Sequence, residues 1–219
     1  MQKDIVILFD LDGTLIDSTD AIVSTFHHSF KVMDYQFKGT DEDIKALIGY
    51  PLDIMYKQLG IKENNAWDFV AAYKNRYKDI STIKTLLLDD AIKSLELASS
   101  FARVSVVTTK TRKYTIPLLE HFNINKHFEI VTGRECVENP KPHPEPILKT
   151  LKDMNYSSDL NNVWMIGDTK LDLIAANEAH INSVGVLCGY GTQDELQKYT
   201  KNIKNETYQA VELIKKLNY

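Results

Sequence analysis

Cysteine is scarce in this chain. Its two copies, Cys136 and Cys188, share no metal-ligand or redox spacing, so they are expected to be reduced structural thiols rather than a disulfide framework. No apolar run approaches the length of a membrane span, and the run within MQKDIVILF is too short for a signal peptide; a cytoplasmic location is expected. Surplus positive charge is also missing. Against 26 Lys and Arg stand 30 Asp and Glu, a formal charge of −4, which disfavours nucleic acid or an anionic membrane as the main partner. A small anionic ligand stays open, because a local site can oppose the net charge. There is no internal repeat, and the one biased segment is NPKPHPEP at 139–146, which taken alone reads as a polyproline-like loop or partner motif.

What is present is an apolar fraction of 43% and a charged fraction of 26%, the balance of a soluble globular protein, in 219 residues that allow a substantial core. Short apolar runs recur at 5–9, 103–108, 128–132, 162–166 and 183–187. Each is rich in β-branched residues and bounded by polar or glycine positions, as in strands buried on both faces. Helical periodicity occupies 111–122, 144–154, 170–179 and 207–217 between and after them. This alternation predicts an α/β fold, a Rossmann-like parallel sheet with helices on both faces.

One interval breaks the rhythm. From 18 to about 88 only helical patterns occur: Ile22, Phe26, Phe30 and Met33 share a face, Thr40 can cap a helix closing near Gly49, and Pro51 can open another ending at Gly60. A fourth helix is predicted around Trp67–Tyr77, its aromatics read as core of that region. The expected organisation is an α/β core of residues 1–17 and 89–219, with an all-helical insertion, 18–88, over the end of the first strand.

Parallel sheets bind ligands beyond the carboxyl ends of their strands. There the first strand delivers Asp10 and Asp12, the second Thr108, Thr109 and Lys110, and the fourth Gly167 and Asp168, with Asp172 one helical turn on; the loop after the third carries Lys141. Carboxylates held close repel one another, and a hard divalent cation relieves that through oxygen ligands. The same cation neutralises a bound phosphate. One carboxylate aimed at phosphorus can act as nucleophile, and a second, two residues on along an extended chain, lies on the same side as a general acid. These residue types together suit phosphoryl transfer.

Four segments, DLDGT at 10–14, VVTTK at 106–110, NPKPHPEP at 139–146 and GDTKLD at 167–172, stand in the order and spacing of a known family. The chain resembles a haloacid dehalogenase superfamily hydrolase with a helical cap, and is most similar to the phosphoglycolate phosphatase-like members. The resemblance implies Asp10 as nucleophile and Mg2+ ligand, Asp12 as general acid and base with its backbone carbonyl on the metal, and Asp168 as a direct metal ligand. It implies Thr108, Thr109 and Lys141 as the phosphate-binding set, with Lys141 also restraining Asp10. Gly13 and Thr14 would shape the turn, and Asp172 would be a ligand or a supporting partner. The implied reaction is Mg2+-dependent hydrolysis of a small phosphorylated metabolite through an aspartyl-phosphate, by a monomer or homodimer. Inorganic pyrophosphatase, β-phosphoglucomutase-like phosphomutase and a non-catalytic binding module are the alternatives. Tyr50, Lys57 and Arg76 are the substrate candidates on the cap. The chain departs from the family's usual pattern at Asp89-Asp90, where Pro-Gly is common, and at His180, where glycine is common.

Overall fold

The structure is a computed structural model and describes residues 4–218. Six parallel strands form the central sheet: β1 (Val6–Phe9), β4 (Arg103–Val107), β5 (Val131–Thr132), β6 (Val163–Gly167), β7 (Asn182–Val186) and β8 (Ile203–Lys204), in the order β5-β4-β1-β6-β7-β8. β1 is fully buried at the centre. Its alternating side chains feed two separate layers, as the two-residue period of a strand requires. Ile7 and Phe9 pack with α5 (Ala91–Phe101), α6 (Arg112–His121) and α10 (Thr207–Asn218). Val6 and Leu8 face α7 (Glu145–Asp153) and α8 (Lys170–Glu178). Each such side chain contributes about 1.5–3 kcal/mol by leaving water.

The helical interval forms α1 (Thr19–Val32), α2 (Asp41–Lys45), α3 (Leu52–Gln58) and α4 (Ala66–Ile80). Thr40 caps α2 through a reciprocal capping box with Asp43. Phe26, Phe30, Tyr56, Phe69 and Tyr73 gather these helices around an apolar cluster of their own. The chain enters and leaves this region through a small antiparallel ribbon, β2 (Ile16–Asp17) with β3 (Leu86–Leu87). Among the described residues no helix is long and apolar enough to cross a membrane.

Several elements differ from expectation. The third strand shrinks from 128–132 to Val131–Thr132. β2, β3 and β8 have two residues each, too few for any periodicity to register. Helix α6 continues through Pro117. His180 turns left-handed after α8 at φ +56°, a conformation glycine adopts at lower cost.

Candidate active site

β1 lies where the chain order reverses, with β4 on one side and β6 on the other, so a crevice opens at their carboxyl ends. Asp10 leaves β1 there, its amide donating to the Ile166 carbonyl at 2.9 Å. The turn that follows needs glycine: Gly13 has φ +80°, and a Cβ on it would stand 2.3 Å from Asp168 Oδ2. A Cβ on Gly167 would likewise meet the Asp172 carboxyl at 2.3 Å. These two glycines let the acids approach one another.

Lys141 is buried and uses all three ammonium protons. They go to Asp10 Oδ1 at 2.8 Å, to the Val107 carbonyl at 2.9 Å and to Asp172 Oδ1. The loop presenting it is tied down from behind, since the Glu145 carboxylate accepts the amides of Glu138 at 2.8 Å and Asn139 at 2.9 Å. Asp172 Oδ2 accepts from the Thr169 hydroxyl at 2.7 Å and amide at 3.1 Å, closing a capping box at the start of α8. Asp168 accepts from the Thr14 hydroxyl at 3.1 Å and the Tyr190 amide at 2.8 Å. Asp10, Asp168 and Asp172 each bring a carboxylate oxygen within 4.8 Å of the others, all buried.

Burial drives the electrostatics. It pushes the Asp10 carboxyl up to about 7; Lys141 opposes this, while Asp172 and Asp12 add to it. Asp168 is pushed well above the usual carboxylate range by burial, then by Asp10 and Asp172. Burial alone would pull the Lys141 ammonium down, but Asp10 and Asp172 together hold it above its ordinary value. Three clustered acids against one lysine form a hard, all-oxygen donor set carrying excess negative charge, which fits Mg2+. The cluster contains Asp172 and not the side chain of Asp12. That carboxylate instead accepts from the Ser18 hydroxyl and pairs with Lys110 Nζ at 3.1 Å.

The structure thus brings Asp10, Asp12, Lys141, Asp168, Asp172, Gly13 and Thr14 together. Thr108 stands beside them at the end of β4, its hydroxyl accepting the Lys110 amide at 3.1 Å. The Thr109 hydroxyl turns away to the helical region, donating to the Gly49 carbonyl at 2.8 Å. Of the cap candidates, Tyr50 lines the cavity that reaches Asp12, whereas Lys57 and Arg76 do not. Lys57 pairs with Asp53 at 3.7 Å and Glu63 at 3.6 Å, and Arg76 lines a different hollow with His27, His28 and Lys84.

Sequence reasoning assigned no role to Ser18 or Tyr190 and read Trp67 and Tyr77 as core of the helical region; Tyr77 is buried, but Trp67 is 63% exposed. Lys110 was visible within the TTK segment, yet only the structure reveals its partners: Asp12 in the core and the Tyr77 hydroxyl of α4 at 2.9 Å. Tyr190, from the glycine-rich loop after β7, meets the Thr19 hydroxyl of α1 at 3.1 Å. No local pattern announces such contacts between distant segments.

The chain belongs to the haloacid dehalogenase-like hydrolase family, whose profile matches residues 7–186. It is 30% identical over 213 residues to a phosphoglycolate phosphatase of Colwellia psychrerythraea, covering 91% of each chain. A pyrophosphatase of Halalkalibacterium halodurans is 29% identical, covering 86% of this chain and 85% of that one. The solved structure of a haloacid dehalogenase-like hydrolase from Bacteroides fragilis superposes with a TM-score of 0.88 at 28% identity, over 96% of this chain and all of the other.

Proposed function

We propose that the protein is a Mg2+-dependent phosphatase that hydrolyses a small phosphate monoester through an aspartyl-phosphate on Asp10. The observation that carries this reading is the buried array at one sheet edge: Asp10 bound to Lys141, Asp168 and Asp172 beside it, and Asp12 two residues on. Relatives named as phosphatases and pyrophosphatases support it. In this reading residues 18–88 are a cap domain over a core of 1–17 and 89–219, supported by the separate apolar cluster of α1–α4.

A carboxylate oxygen of Asp10 attacks phosphorus, the bond from phosphorus to the ester oxygen breaks, and Asp12 gives that oxygen its proton. Asp12 then takes a proton from water as the water oxygen attacks phosphorus. The phosphorus bond to Asp10 breaks, releasing inorganic phosphate and restoring both carboxyl groups, so that ester plus water becomes alcohol plus phosphate. Lys141 holds Asp10 at a fixed angle and, with the Thr108 hydroxyl, offers donors to the phosphoryl oxygens. Asp10, Asp168 and Asp172, with the Asp12 carbonyl, are the groups that would hold Mg2+, which when bound neutralises the charge spread over those oxygens.

Phosphate release from a panel of phosphoglycolate, pyrophosphate, sugar phosphates and acetyl phosphate, with Mg2+ and with excess EDTA, tests the proposal. Metal-dependent release from a monoester is the expected result. Pyrophosphate as the sole substrate, or an isomerised sugar phosphate as product, would replace it with the pyrophosphatase or mutase reading.

A further inference from the structure

A cavity of about 280 Å³ lies between the helical region and the core. Asp12 lines it, and Asp10, Lys141 and Asp168 do not. It is therefore on the side of the group that receives the proton from Asp12, where the leaving alcohol must sit. Its walls carry an unusual density of rings: Tyr50, Trp67, Tyr73, Tyr77 and Tyr114. Tyr73 and Tyr77 stack on each other at 5.3 Å, and Tyr114 meets Tyr77 edge-on at 5.9 Å, so these three form a fixed aromatic wall. Trp67 is different. It is 63% exposed although it belongs to α4, the most aromatic helix of the region. A large indole left open to solvent on a cavity wall is free to meet a ring of a ligand.

Of the cations lining the cavity, Lys110 already pairs with Asp12 and Tyr77, and is not disposed to meet a substrate carboxylate. Lys74 and Arg134 lie at the wall beside Asp53 and Glu135, a mixed set of donors and acceptors that suits the heteroatoms of a ring better than one fixed charge.

We infer that the cavity is the leaving-group subsite of a nucleoside 5′-monophosphatase, with the base against Trp67 and the fixed tyrosine wall. This rests on the phosphatase reading above: the 5′ oxygen departs with the proton from Asp12, giving nucleoside and phosphate. Base–aromatic stacking of this kind tolerates different bases, so the class rather than one nucleotide is assigned.

Steady-state kinetics on the full chain with Mg2+ should give kcat/KM for adenosine and uridine 5′-monophosphates at least tenfold above phosphoglycolate. In Trp67→Ala the ratio of kcat/KM for these nucleotides to that for acetyl phosphate should fall tenfold or more. Binding is read separately in Asp10→Asn, where turnover is blocked. Of the two tryptophans, Trp164 is buried at 5% exposure, so a blue shift or quench on adding uridine 5′-monophosphate reports Trp67 and should vanish in Asp10→Asn with Trp67→Phe. Turnover of small esters with no preference for nucleotides, or an unchanged ratio in Trp67→Ala, overturns the inference and leaves the phosphatase reading intact. No release from any ester sinks the phosphatase reading; the fluorescence titration then decides alone whether the cavity takes a nucleotide.

Discussion

The sheet edge and the helical region above it are built on opposite plans. At the edge the functional groups are buried and tightly held: Lys141 has three acceptors, and Asp168 and Asp172 each accept from a hydroxyl and a backbone amide. The face of the helical region presents rings, one of them largely exposed, with few hydrogen bonds among them. Charges that must act on one phosphoryl group need fixed geometry in a low dielectric, and networks of satisfied hydrogen bonds provide it. A surface that selects a leaving group can instead use apolar contact, which is non-directional. In the proposed function, chemistry is fixed in the core, while selection is free to vary above it.

The largest effect should come from removing the proposed nucleophile. Asp10→Asn is expected to lower kcat by at least about 10³-fold while leaving the fold cooperative, because Lys141 keeps Asp172 and the Val107 carbonyl. Single-turnover phosphate release with matched urea melts checks both halves, and retained turnover would remove Asp10 from the chemistry. Lys141→Met should be next. It leaves Asp10 and Asp172 buried beside each other with their cation gone, which costs about 3–5 kcal/mol of stability as well as activity. A urea midpoint unchanged from wild type would mean that the edge is not the preorganised array described here.

This contrast also governs how much was legible in the sequence. Asp10, Asp12, Lys141, Asp168 and Asp172 could be found because phosphoryl transfer demands those residue types at strand ends, and β1, β4 and β6 are apolar runs whose ends are easy to place. The helices of the insertion were legible too, since Phe26, Phe30, Phe69 and Tyr73 repeat at helical spacing. The cavity face was not. Helical periodicity says that Trp67 lies on a helix, but not that its helix turns it towards Asp12. Lys57 and Arg76 were sensible as carboxylate binders by type, yet α3 and α4 carry them away from the cavity, a matter of helix rotation that composition cannot fix. Thr109 was read for the anion, and its hydroxyl serves the link to Gly49.

A pH series sharpens the electrostatic side of the comparison. With Asp10 raised to about 7 from 3.8, the folded state binds more protons than the unfolded one between those values. Its contribution to stability is therefore complete at low pH and is lost as pH rises towards 7; Asp168 acts in the same direction. A divalent cation competes with those protons, so the rise in melting temperature on adding Mg2+ should grow from pH 5.5 to pH 8. Each displaced proton accounts for at most about 1.4 kcal/mol per pH unit. A Mg2+ effect that is flat with pH, or equal in Asp168→Asn, would place metal binding elsewhere.

The smallest expected effect concerns the seam between the two regions. Thr109→Val keeps the volume and removes the hydroxyl that donates to the Gly49 carbonyl, and Tyr77→Phe removes the acceptor of Lys110 while that lysine keeps Asp12. Each loses one hydrogen bond, about 0.5–1.5 kcal/mol. If chemistry resides in the core and selection above it, both variants should change KM by a few fold and leave kcat for a small ester within about twofold, because neither touches Asp10, Lys141 or Asp168. Steady-state kinetics with phosphoglycolate measure this. A fall in kcat near that of Asp10→Asn would mean that the seam itself aligns Asp12 through Lys110, making the helical region part of the catalytic machinery and not only its selector.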